Sequence, residues 1–82
     1  FFDPSYGHRT FLAAREAIDL VQAQQTLSSA LSVRETSELR AALGETLFRM
    51  GDLAPARTNA LRALALAPEN EDARELLRQL GP

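Results

Sequence analysis

The stretch from Ser37 to Asn70 constrains this chain most, because small residues recur there at helical spacing on both sides of a single turn signal. Leu43-Gly44 and Leu47 precede the turn Met50-Gly51-Asp52, Ala56, Ala60 and Ala63-Leu64 follow it, and Pro68 ends the pattern. Steps of three and four put these residues on one face of each of two helices. Gly inside a helix costs about 1 kcal/mol relative to Ala, so Gly44 predicts a compensating close contact. The expectation is an antiparallel hairpin in which the backbones approach through Gly44 and the facing Ala56, Ala60 and Ala63. Leu43, Leu47, Leu53 and Leu64 then fill the flanks, at about 1.5–3 kcal/mol for each side chain fully buried.

The rest of the chain reads outward from that hairpin. Residues 1–9 are expected to form a tail, since Asp3, Pro4, Ser5 and Gly7 interrupt a helical pattern while Phe1, Phe2 and Tyr6 supply apolar area that must find a contact. From Thr10 to about Leu31 there is no Gly or Pro, and Leu12, Ala13, Ala17, Leu20, Val21, Leu27 and Leu31, with a lapse at Gln24, trace one buried stripe, which predicts a long helix. Ser32-Val33-Arg34-Glu35 has the form of a capping box, with Thr36 and Ser37 as competing caps for a helix running to about Met50. Gly51 suits the left-handed residue after that helix, and Asp52 is placed to cap the next, whose first turn accepts Pro55. That helix should run from Leu53 to Ala67. Asn70 caps the last, Glu71 to Leu80, with Glu71 and Asp72 at its positive end, Arg74 and Arg78 toward its negative end and Gly81-Pro82 beyond.

Composition narrows the functional classes. The 82 residues are 45% hydrophobic and 24% charged, few are aromatic, and Ala, Leu, Glu, Arg and Gln dominate, so the fold class expected is all-α with a small core. The net charge of −2 gives no general attraction to nucleic acid. Without Cys there are no disulfides and no thiolate metal sites. No apolar run approaches the ~18 residues that a membrane span needs. The opening Phe1-Phe2, lacking an initiator Met, predicts a piece of something longer.

Chemistry finds little support. Asp3, Ser5 and His8 are the residue types of a hydrolytic triad, yet a tail offers no scaffold to orient them. His8 is the single His, and Glu69, Glu71, Asp72 and Glu75 lack the Gly and alternating ligands of a calcium loop. There is no Gly-rich phosphate loop. The expectation is a chain that is not an enzyme, with no catalytic residues, no cofactor and no metal.

The 37–70 pattern resembles one tetratricopeptide repeat, through its Leu-Gly pair, the large apolar Leu47, the spaced alanines and the closing Pro68 over a 34-residue period. By that resemblance, residues 10–82 form a helical-repeat domain of about four helices, with 37–70 a full repeat and 71–80 the helix that closes an array. Ala23, Leu27, Ala30, Leu31 and Val33 match Ala56, Ala60, Ala63, Leu64 and Leu66 at an offset of 33, as the second helix of a degenerate preceding repeat would. Arg40 and Ala60 stand where the family has aromatics, which reduces packing toward the preceding repeat.

The resemblance also implies a concave groove that grips a peptide or helix of a partner protein. Its face here would be Glu38, Ala41, Glu45, Phe48 and Arg49, continued by Asp72, Glu75 and Gln79. Glu38, Ala41 and Glu45 replace the Lys, Arg and Asn with which chaperone-binding members clamp a terminal carboxylate, so that ligand is not expected. An acidic groove with Phe48 as an apolar anchor fits a basic or amphipathic segment, whereas a plain solvated face with Phe48 in the core is the competing reading. The alternative function is a structural or self-association domain of a larger enzyme or of a secretion or assembly protein. About one and a half repeats are marginal alone, so the chain should lean on further repeats, another domain or a second copy of itself.

Overall fold

The computed structural model describes the backbone of residues 4–81 and the side chains of 16–81. The expected contacts of Phe1, Phe2 and Tyr6, and the grouping of Asp3, Ser5 and His8, lie outside those described residues. Four helices follow in order: α1 (Pro4–Val33), α2 (Ser37–Arg49), α3 (Leu53–Leu66) and α4 (Glu71–Leu80). Among the described residues there is no strand, and the fold is all-α.

Three local expectations are corrected. The first helix starts at Pro4 rather than Thr10, so most of the expected tail of residues 1–9 belongs to α1. Proline is tolerated in a first turn, where its nitrogen owes no hydrogen bond, and Gly7 costs only about 1 kcal/mol against a 30-residue helix. Ser32 forms no capping box. It lies within α1, its hydroxyl donates to the Ser29 carbonyl at 2.6 Å, and the competing cap Thr36 accepts from Leu39 N at 3.1 Å. Asp52 occupies the N-cap position of α3 without a side-chain cap bond. The usual donor three residues on is Pro55, which has no N–H to give.

The turn and the last helix follow the sequence signals. Gly51 adopts φ 87° between α2 and α3, and the Asn70 side chain accepts from Ala73 N at 3.0 Å to start α4. Arg57 adds an unforeseen clasp, donating to the carbonyls of Leu80 and Gly81 at the free end of α4.

α2 and α3 pack antiparallel at close range, α4 lies across both, and α1 lies against α2. The close approach centres on Gly44. A Cβ there would stand 3.2 Å from the Ala56 carbonyl oxygen, 3.5 Å from Ala60 N and 2.9 Å from Leu76 Cδ2, so α3 and α4 both reach the backbone of α2 at that point. Ala56, Ala60 and Ala63 are fully buried, and Leu43 and Leu47 nearly so. Ala41, Ala63 and Ala73 join α2, α3 and α4 with Leu64 beside them, whereas Leu43, Leu47 and Ala56 form a second cluster to which α1 adds Leu27 and Leu31. Leu53, expected on the flank, is 53% exposed. It opens α3 directly after the turn, at the rim of the hairpin.

Polar groups bind the same helices together. The Ser37 hydroxyl donates to the Ala63 carbonyl at 2.8 Å and accepts from Asn70 Nδ2 at 2.7 Å, so one buried group links the starts of α2 and α4 to the end of α3. In the α1–α2 connection, Glu35 accepts from Arg40 Nε at 2.8 Å and from Arg62 at 2.9 and 3.1 Å, while Arg40 also reaches Asn59 Oδ1 at 3.0 Å. Hydrogen bonds from Arg62 and then Arg40 lower the Glu35 carboxyl from 4.5 to about 2.

Gly44→Leu should destabilise the chain by about 3 kcal/mol through overpacking, against a few tenths for Glu45→Leu on the exposed side of α2, as read by urea denaturation. Because the folded-state pKa of Glu35 is depressed, its contribution is complete above pH 4.5 and fades as the pH falls toward about 2. Thermal melts should therefore show wild type more stable than Glu35→Gln at pH 6, with the gap closing across that window.

Candidate functional site

Two clefts lie side by side over α2. The first, of about 300 Å³, has Glu45, Phe48 and Arg49 of α2 on one wall and Asp72, Glu75, Leu76 and Gln79 of α4 on the other. Positions three and four apart share a helix face, which is why each helix contributes a compact set. The second, of about 480 Å³, lies between α1 and α2, lined by Glu16, Asp19, Leu20 and Ala23 of α1 and by Ala42, Glu45, Thr46 and Arg49 of α2. A shoulder extends it past Val21 to Met50. Glu45 and Arg49 belong to both clefts and form the ridge between them.

Six of the eight sequence-expected residues, Glu45, Phe48, Arg49, Asp72, Glu75 and Gln79, meet around the first cleft. Two do not. Ala41 is buried against Ala63 and Ala73 where α4 crosses the hairpin, and so presents no surface. Glu38 is exposed in the first turn of α2, apart from the lining of either cleft. Phe48 packs on the Leu43, Leu47 and Ala56 cluster and, being half-buried, also lines the cleft.

Leu76, which forms part of the first cleft wall, was not expected there, nor were the α1 residues of the second cleft. A signal for both was present. Glu16, Asp19 and Leu20 repeat the acid-x-x-acid-Leu spacing of Asp72, Glu75 and Leu76, but nothing in the sequence states that α1 and α4 flank the same helix.

The electrostatics are those of a solvated acidic surface with internal pairing. Arg49 bonds Glu45 at 3.0 Å, with both side chains more than half exposed. Arg78 pairs with Glu75, and the hydrogen bonds from Arg78 and then Gln79 hold the Glu75 carboxyl below its usual value. Asp72 and Glu71 occupy the first turn of α4, so the helix's own carboxylates offset its positive end and leave no anion seat there. Among the described residues, no group of three or more His, Asp or Glu is placed to hold a metal ion. No helix among them is long and apolar enough to cross a membrane.

In comparisons with protein-family models, curated proteins and solved structures, nothing matches this chain.

Proposed function

We propose that the chain is a protein-interaction module, a fragment of a tetratricopeptide-like helical array whose groove between α2 and α4 takes a basic or amphipathic segment of a partner protein. The observation that carries this reading is the half-buried Phe48, set beside Leu76 in a cleft whose rim holds Glu45, Asp72 and Glu75. A partly buried aromatic ringed by charge supplies what a short peptide needs: an apolar anchor for affinity and carboxylates for orientation. The same carboxylates oppose phosphate, so nucleic acid is not the proposed partner. The reading includes no catalysis and no cofactor, since the clefts are open and their charges are paired or solvated.

Repeat character is supported by parallel contacts. Leu31 of α1 packs on a cluster containing Leu43 and Leu47 of α2, and Leu64 of α3, 33 residues later, packs on one containing Ala73 of α4. One feature favours the second reading, a structural or self-association role within a larger enzyme or assembly. Ile18 and Val21 of α1 are 57% and 42% exposed and, with Ala17 and Gln22, line an apolar hollow on that helix.

Selection of displayed peptides against the chain should enrich Lys- or Arg-containing sequences with one large apolar residue. Phe48→Ala should weaken the selected peptides about tenfold, or about 1.4 kcal/mol, while Leu61→Ala on the exposed side of α3 leaves them unchanged. Equal binding by wild type and Phe48→Ala would sink this reading. Sedimentation equilibrium addresses the second: a concentration-dependent mass that reverts to monomer in Ile18→Asp/Val21→Asp would establish self-association through α1.

A further inference from the structure

No helix-breaking residue stands where the chain bends between α1 and α2. The α2–α3 turn has Gly51 at φ 87° with Pro55 just beyond it, and Pro68 follows α3, but from His8 to Leu43 the sequence holds neither Gly nor Pro. The break covers only Arg34, Glu35 and Thr36. Two sets of hydrogen bonds keep it. The Thr36 hydroxyl accepts from Leu39 N at 3.1 Å, and the Glu35 carboxylate accepts from Arg40 at 2.8 Å and from Arg62 of α3 at 2.9 and 3.1 Å. The Glu35 pairs are part-exposed, and such pairs hold weakly.

A straight junction has bonds of its own to gain. Helix ends leave amides and carbonyls without intrahelical partners, and one continuous helix pairs those at the end of α1 with those at the start of α2. It also breaks the Glu35 clasp. In an unbroken helix Glu35 shares a face with Leu31 and Leu39, four residues to either side, whereas Ser37, Arg40 and Gly44, which meet α3, lie on another. The bent form with Glu35 on Arg62 and the straight form therefore exclude each other.

Straightening uncovers apolar surface that must be covered again. Among the described residues, α2 is the one helix whose backbone runs beside α1, and Leu27 and Leu31 pack on the cluster of Leu43, Leu47 and Ala56. α1 runs antiparallel to α2, with Ala17 and Leu20 beside Met50 and its end joined to Ser37 by the three-residue break. In a straight helix the stripe of Leu27 and Leu31 continues by steps of three and four through Glu35 to Leu39, Ala42 and Thr46. Two such helices laid antiparallel restore between copies the contact that each loses within itself. A second copy is thus the occupant that fits, because it brings the same α1 to the same surface, and exchange of an identical element is an easy route to a dimer.

We propose that the α1–α2 junction is a hinge latched by Glu35, and that two copies exchange α1 through it, each straightening α1 and α2 into one helix that packs antiparallel on its partner's. The exchange leaves α2, α3 and α4 packed as they are, so it does not depend on the α2–α4 groove. It is distinct from association through the exposed Ile18 and Val21, which play no part in it.

The whole chain is refolded from urea at low and at high concentration, diluted, and analysed by sedimentation velocity, with far-UV circular dichroism to confirm folding. Wild type should give a dimer fraction only from the concentrated sample, and it should persist on dilution because separation requires α1 to leave its partner. Glu35→Ala/Thr36→Ala, which removes latch and cap, should raise the dimerisation constant about tenfold. Arg62→Ala, which frees Glu35 and keeps the junction's own sequence, should raise it about threefold. To detect exchange, chains carrying Glu16→Cys are refolded with chains carrying Arg49→Cys, the protein having no other cysteine. Both positions line the α1–α2 cleft, so a short bismaleimide should join the two copies in the dimer and none in the monomer. Folded monomers throughout overturn the proposal, as does a dimer whose copies are not joined or one that Ile18→Asp/Val21→Asp dissolves. If the double variant fails to fold, Arg62→Ala decides alone, and a dimerisation constant equal to that of wild type overturns the latch.

Discussion

The structure depends on how closely α2 and α3 approach at Gly44. Without a side chain there, the carbonyl of Ala56 and the amide of Ala60 come within van der Waals reach of the α2 backbone, and Leu76 closes the same space from α4. Three helices thus meet at one residue. The lost helix propensity of a mid-helix glycine is offset by the packing that its absence of side chain permits. That meeting point also sets the groove, because bringing Leu76 to Gly44 turns the Asp72, Glu75 and Gln79 face of α4 toward Glu45, Phe48 and Arg49.

Where the core is thin, polar links take over. The core is largely alanine, and among the described residues no large side chain is fully buried. Ser37 and Asn70 join the starts of two helices to the end of a third, and Glu35 gathers Arg40 and Arg62 at the α1–α2 connection. The guanidinium of Arg40 reaches both Glu35 and Asn59. A fixed hydrogen-bonded fork thus replaces apolar area in connecting that turn to the hairpin.

The acidic face is similarly organised by the chain's own arginines. Arg49 and Arg78 partner Glu45 and Glu75 with exposed, exchangeable pairs, so the groove carries negative charge without the desolvation cost that buried carboxylates would incur. Of the apolar residues among these acids, Phe48 and Leu20 are part-exposed, whereas Leu76 is buried.

Much of the fold was legible locally. The Gly51 turn, the Asn70 cap, the extent of α4 and the buried faces of α2 and α3 follow from backbone chemistry and periodicity, which act over a few residues and leave their mark in sequence. Helix starts were less legible, because a cap depends on which donors are free: Pro55 removed the donor that Asp52 would have used, and α1 ran through Ser32 to leave Thr36 as the cap. The groove was read in part, since helical spacing puts Glu45, Phe48 and Arg49 on one face, and Asp72, Glu75 and Gln79 on another, without any tertiary information. What the sequence alone determined, then, was the four helices and most of the buried faces of α2, α3 and α4, whereas Leu53 and, in the α1 stripe, Ala17 and Val21 are exposed. Only the tertiary structure decided that α4 covers Ala41, that Leu76 meets Gly44, and that α1 and α4 bring matching acid pairs to the two sides of α2. The physical reason is that helix crossing is set by the summed fit of side chains distant in sequence, which no local pattern records.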